Sequence, residues 1–400
     1  MHARRSDVTE VESNNPGEYI MTSRTRAARR RPFCPQVDGL ESRELLNGTP
    51  GRMAEITAAS HHQMHGTPLV PQLSTAQMAT LSTIPSNGDL NPYGISFVPA
   101  GFAKGGVLQP GDLLVSNFNS SSNLQGTGTT IIRIARDGTM STFFTGPIGV
   151  GLTTALGVLK NGFVIVGSVP TTDGSSATVQ QGSLLVVDRN GNLVANLSDS
   201  KFLNGPWDLT INDKGNTAQV FVSEVLSGAV SRIDLRLTGR SFHVVRAVQV
   251  ASGFIHRTDP AALVIGPTGL AFDAEKNVLY VASTGDNAVY AIPNAGTTRH
   301  DQGTGKIVVM DNTHLHGPLG LVLAPNGDLI VANGDAVNSD VNQPSEITEF
   351  TVKGKFVGQL SLDPKFDAPF GIALTSAGRD LLFAAVNDNT NSVTIWRVHR

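Results

Sequence analysis

A short phrase recurs six times along this chain and constrains its fold more than any other feature. It reads NPYGISF at Asn91, TALGVL at Thr154, GPWDLTI at Gly205, GPTGLAF at Gly266, GPLGLVL at Gly317 and APFGIAL at Ala368. Aligned on Pro92, Ala155, Pro206, Pro267, Pro318 and Pro369, the copies are spaced by 63, 51, 61, 51 and 51 residues. A period near fifty residues means that one supersecondary unit is repeated and buries its apolar face against its neighbours.

The unit is all β. In the fifth copy Leu319 to Leu323 reads as a strand, Asn326-Gly327-Asp328 as a turn, and Leu329 to Ala332 as a second strand. Ile347 to Val352 and Phe356 to Leu360 follow, separated by Lys353-Gly354-Lys355. Asn-Gly between apolar runs is a strong hairpin signal, because both residues accept positive φ. Runs such as Phe163 to Gly167 are too short and too β-branched for helices. A β-sandwich rarely repeats at this period, and β-helix coils are much shorter. Four antiparallel strands per unit describe a propeller blade, so six units predict an all-β, six-bladed β-propeller.

After Ala368 only three strands fit: Gly371 to Leu374, Leu381 to Val386 and Val393 to Val398. The last blade therefore lacks its outer strand. Met78 to Ile84, ahead of the first repeat, is expected to supply it and close the ring, which hides two sheet edges.

The residues before the ring are different material. Residues 1–75 carry repeated Arg, scattered Pro and Ser and no sustained periodicity, and read as a disordered N-terminal arm. The propeller is expected over 76–400, with repeats starting near 91, 154, 205, 266, 317 and 368. With 30 Lys+Arg against 33 Asp+Glu, no broad basic face and no specific nucleic-acid partner are implied. No stretch reaches transmembrane length, and no apolar signal-peptide core follows the Arg cluster. Cys34 is the single cysteine, which excludes an internal disulfide. Within the arm, residues 29–48, RRRPFCPQVDGLESRELLNG, resemble a Leu-Glu-x-Arg-x-Leu-Leu motif found near the N-terminus of many planctomycete proteins predicted to be exported. That resemblance implies an extracellular or cell-envelope location.

The Pro-x-Gly-Ile/Leu starts, Asn326 to Val331, and AST-GDNAVYAI from Ala282 to Ile292 resemble NHL-repeat and SMP-30/gluconolactonase-like six-bladed propellers. In such rings, the loops entering the inner strand and those leaving the second strand share one face. On this chain that face gathers Asn117, Glu224, Asp286, Asn333, Asp335, Asn387 and Asp388, with Tyr93, Trp207, His314, His316 and Phe370 near the strand starts. The resemblance to lactonases offers Glu224, Asn333 and Asn387 as a metal set, in which the ion would polarise an ester carbonyl and activate water. The competing reading is that Asx residues cap their own turns, with Glu224 pairing an arginine such as Arg232. His314 and His316 alternate, so in an extended segment both would face one way, either as transition-metal ligands or as neutral loop imidazoles. HHQMH, His61 to His65, is a further His cluster, without the Glu of a zinc-protease motif.

The chain is therefore expected to be a non-catalytic binding propeller, monomeric, taking a protein, glycan or small molecule on its loop-rich face, with no cofactor. The alternative is a metal-dependent lactonase or esterase that uses Ca²⁺ or another divalent ion.

Overall fold

The computed structural model describes residues 8–15, 18–24, 66–239 and 241–399, the first two segments by backbone alone. It shows a six-bladed propeller of four-stranded antiparallel blades. The innermost strands are Leu90–Phe97, Leu152–Val158, Pro206–Asp213, Pro267–Asp273, Pro318–Leu323 and Ile372–Ala377 in blades 1 to 6. Five of the six main hydrophobic clusters each fill one interface between neighbouring blades, and the sixth fills that between blades 6 and 1 and continues into the centre of the ring.

The recurring Pro-x-Gly phrase has a double geometric cause. In five blades the ladder to the second strand breaks just after the strand start, as between Pro92 and Ile95, and then resumes. Such a bulge re-aims the intervening side chains. The glycine lets adjacent innermost strands approach edge to edge. A Cβ at Gly269 would stand 2.2 Å from the Leu319 carbonyl oxygen, and one at Gly371 would stand 2.1 Å from that of Tyr93. Blade 2 departs from the sequence alignment. There Leu152 faces Ser168 as Pro92 faces Asn117 in blade 1, and Leu156 faces Val166 as Ile95 faces Val115, so its repeat begins three residues earlier than TALGVL implies. An extra residue lies in its bulge, and Thr153 and Thr154 donate hydroxyl hydrogen bonds to the Pro206 and Trp207 carbonyls.

The ring closes as the strand count requires. Gln77–Ser82 runs antiparallel to Ser392–His399 and completes blade 6, from Arg397 opposite Gln77 to Ser392 opposite Ser82. The observed strand sits slightly earlier than the expected Met78 to Ile84. Packing begins earlier still, ahead of the expected boundary at residue 76. A short helix, Val70–Leu73, lies between blades 5 and 6, with Leu69, Val70 and Leu73 buried among Ile347, Phe383 and Trp396. Its first amides are capped from inside the ring: Leu69 N–H and Val70 N–H donate to the two oxygens of buried Glu349 at 3.0 and 2.7 Å. Further upstream, Val8–Asn15 and Glu18–Arg24 form a hairpin whose second strand runs parallel to the outer strand of blade 2, Leu193–Ser198. The motif at 29–48 and the histidines of 61–65 lie outside the described residues.

Truncations should separate these contributions. A chain starting at residue 66 keeps both helix and closing strand. Starting at 75 removes three buried side chains, each worth about 1.5–3 kcal/mol. Starting at 85 also removes a whole strand, with ladder bonds of roughly 1 kcal/mol each. Thermal melts should therefore fall in that order, steeply at the last step. Equal melting of the chains starting at 66 and 85 would contradict closure by Gln77–Ser82.

Candidate functional site

Four of the expected site residues occupy equivalent places at the end of a blade's second strand: Glu224, Asn333 and Asn387 are its last residue, and Asn117 lies two residues before the end. Asn117, Glu224 and Asn333 stand opposite the starting prolines Pro92, Pro206 and Pro318, and Asn387 ends the corresponding strand of blade 6. Each side chain is buried and ties down the linker that leads into its own blade. Asn117 donates to the Thr83 carbonyl at 3.2 Å. Glu224 accepts from Asn204 N–H at 3.2 Å. Asn333 donates to the His314 carbonyl and accepts from His316 N–H, and Asn387 donates to Asp363 at 3.0 Å. Glu224, Asn333 and Asn387 thus come from blades 3, 5 and 6, each engaged locally. Arg232 is not the partner of Glu224. It pairs with Asp234 at 2.9 Å and donates to the Ala295 and Thr298 carbonyls, clamping blade 3 to a turn of blade 4. Glu224 keeps an Oε1 with no hydrogen-bond partner, and burial pushes its carboxyl up to about 7.

The residues after three of the starting prolines, Tyr93, Trp207 and Phe370, gather in one cluster that closes the mouth of the channel. Tyr93 stacks on Phe370 at 4.3 Å and on Phe118 at 4.8 Å, and Trp207 meets Tyr93 and Phe118 edge-on at 5.8 and 5.4 Å. Val225, Leu263 and Val264 join the same cluster. The last two belong to a small ribbon, Arg257–Asp259 with Leu263–Ile265, inserted between blades 3 and 4. It accounts for the longer 61-residue spacing there.

Further along the innermost strands the channel becomes a cavity of about 360 Å³ lined by all six blades, with Ser96, Thr154, Thr210 and Thr375 among its polar groups. One carboxylate lines it as well. Asp208 holds in blade 3 the place that glycine holds in blades 1, 4, 5 and 6, and accepts the Leu209 N–H at 2.7 Å. Desolvation raises its pKa well above the ordinary carboxylate value. The phrase GPWDLTI displayed this departure, but it was not among the expected site residues.

The two histidines do not act together. His314 pairs with Asp311 at 2.6 Å and stacks on Phe356 at 3.7 Å. His316 turns inward to Glu346, 3.2 and 3.3 Å from its two oxygens. Asp335 completes a buried group with these two; their ligating atoms lie within 4.8 Å of one another. Desolvation, reinforced by the charges of Glu346 and Asp367, raises Asp335 to about 6. Glu346 was not anticipated, since SEITEF reads as an ordinary strand. Asp286 accepts the Ser283 hydroxyl at 2.6 Å and the Ile255 amide at 3.1 Å, holding its own loop. Asp388 lies near Tyr93, and burial together with the charge of Asp367 pushes it to about 7.

No family model matches the chain, and no curated protein matches it in sequence. Solved structures do match in shape. A gluconolactonase from Xanthomonas campestris superposes with a TM-score of 0.51 at 14% identity, covering 82% of this chain and 91% of that one. The major allergen Mala s 1 of Malassezia sympodialis gives 0.51 at 13% identity, covering 80% and 95%. A calcium-binding regucalcin from Agrobacterium tumefaciens gives 0.49 at 12%, covering 80% and 93%. At these identities the two matches at 0.51 bear on the fold alone, a six-bladed propeller. Among the described residues, no helix is long and apolar enough to cross a membrane.

The raised carboxyls have a measurable consequence. An acid whose folded pKa lies above its unfolded value makes the folded state bind more protons between the two, so stability falls as pH rises through that window. For Glu224 the window runs from the ordinary 4.5 to about 7. The melting temperature should drop from pH 5 to pH 7.5, and Glu224→Gln and Asp208→Asn should each flatten that slope. Slopes identical to wild type would refute the protonation states assigned here.

Proposed function

We propose that this chain is a non-catalytic binding propeller whose loop-rich face receives its partner, a protein, glycan or small molecule. The observation that carries this reading is the aromatic closure of the channel mouth. Tyr93, Trp207 and Phe370 are each at most 8% exposed and fill the space where ligands from several blades would have to converge on a substrate. A metal-assisted hydrolase needs the opposite: oxygen ligands around an open position reached by substrate and water. Glu224, Asn333 and Asn387, the set offered by the lactonase alternative, are instead engaged with their own linkers.

The surroundings of the plug supply the binding surface. Long loops after the second strands, residues 120–129, 169–182 and 334–345, rise on that face together with the 257–265 ribbon. The corresponding connections of blades 3, 4 and 6 are tight turns. The face is therefore uneven, with polar loops around a sealed centre, and side chains at loop tips such as Ile148 and Val341 are largely exposed. Propellers of one shape host unrelated functions; of two similar structures at a TM-score of 0.51, one is a gluconolactonase and the other an allergen. The exported setting implied by the arm motif belongs to the same proposal.

Ester hydrolysis separates the two readings. Purified protein with Ca²⁺, Zn²⁺ or Mn²⁺ should hydrolyse gluconolactone no faster than the metal alone. A metal-dependent rate that Glu224→Gln lowers by orders of magnitude would replace the binding reading with the hydrolase. Removing the seal should be costly in its own right: Trp207→Ala is expected to destabilise the fold by about 3–5 kcal/mol in denaturant titrations.

A further inference from the structure

We propose that His316, Asp335 and Glu346 form a binding site for a first-row divalent transition cation, of which zinc is the probe. The site lies inside blade 5, apart from the sealed channel mouth, and the inference is independent of the binding role proposed above. His316 comes from the linker entering the blade, Asp335 from the start of the 334–345 loop, and Glu346 from the first residue of the third strand. Their exposures are 1%, 7% and 1%.

Charge balance is the first argument. Two carboxylates and one imidazole are buried together, and among the described residues neither carboxylate has a Lys or Arg partner. Buried carboxylates without a counter-charge are costly. Even a protonated His316 would leave the group net negative, so it calls for protons or a cation.

The group also holds an orphaned atom. Asp335 Oδ2 accepts the Ser345 amide at 2.9 Å and the Asp367 amide at 3.3 Å. Its Oδ1, equally buried, has no hydrogen-bond partner. A buried acceptor left unmade costs about 1–3 kcal/mol and calls for a specific explanation.

Spacing and donor chemistry select the cation. Zinc bonds of about 2.0–2.2 Å to nitrogen and oxygen place neighbouring tetrahedral ligand atoms roughly 3.3 Å apart. His316 Nδ1 already stands 3.2 and 3.3 Å from the Glu346 oxygens. Imidazole with carboxylates suits zinc and its neighbours, whereas Ca²⁺ asks for six to eight oxygens. Asn333 serves the site by accepting the His316 N–H and donating to the His314 carbonyl, which holds the linker that carries the imidazole.

The test is zinc retention by the full chain after loading and exhaustive dialysis, read by elemental analysis. His61, His62 and His65 offer a competing cluster, so the comparison uses His316→Gln, Glu346→Gln and a triple alanine variant at those three positions. The expected result is one equivalent retained by wild type and by the triple variant, and lost, with affinity lowered at least tenfold, in the other two. X-ray absorption of zinc-loaded wild type needs no variant and should show one imidazole among oxygen ligands. No retained zinc, retention unaffected by His316→Gln and Glu346→Gln, or a shell of several imidazoles would overturn the proposal.

Discussion

A ring of sheets stands or falls with the bond between its two ends. Each blade packs mainly on its neighbours, so an open last blade would expose an unpaired edge. The pairing of Gln77–Ser82 with Ser392–His399 removes that edge and joins the two ends of the ring. The helix just upstream extends the same closure. Its apolar residues fill the groove between blades 5 and 6, and Glu349 of blade 5 holds its first amides. Residues far apart in sequence thereby become one cooperative body.

The polar residues inside this ring mostly solve a second problem, the passage of the chain from the outer strand of one blade to the inner strand of the next. Those linkers are buried and carry backbone groups that must be paired. Residues at or near the ends of the second strands reach back to the linker of their own blade: Asn117, Glu224 and Asn333 pair its backbone groups, and Asn387 holds the Asp363 carboxylate. Asparagine suits the task because its amide both donates and accepts. Glutamate in blade 3 can only accept when ionised; its Oε1 stays unpaired, and burial pushes its carboxyl up to about 7.

Function on this scaffold is decided by how the sixfold pattern is broken. The channel mouth is sealed where Tyr93, Trp207 and Phe370 follow three of the starting residues, and loops rise unevenly around that seal. Blade 3 carries Asp208 where most blades carry glycine, and blade 5 gathers His316, Asp335 and Glu346. These departures, rather than the repeat, distinguish this propeller from others of its shape.

The repeat period, the Asn-Gly turns and the three-strand deficit after Ala368 determined the all-β ring, its blade count and its closure, because local turn chemistry and apolar alternation act within a few residues. The sequence also gathered Asn117, Glu224, Asn333 and Asn387 on one loop face of the ring. Sequence did not determine where those side chains point, since a strand-end residue faces the channel or its own linker according to the bulge beside it. Nor did it show that His314 and His316 part company, or that Glu346 joins His316 across 30 residues; both follow from how the linker folds onto the third strand of blade 5. The helix at Val70–Leu73 stayed hidden because four residues carry no periodicity, and its groove exists only once blades 5 and 6 have packed. Asp208 was visible as a letter out of pattern, but only the edge-to-edge approach of the innermost strands makes that letter a carboxylate in the channel wall.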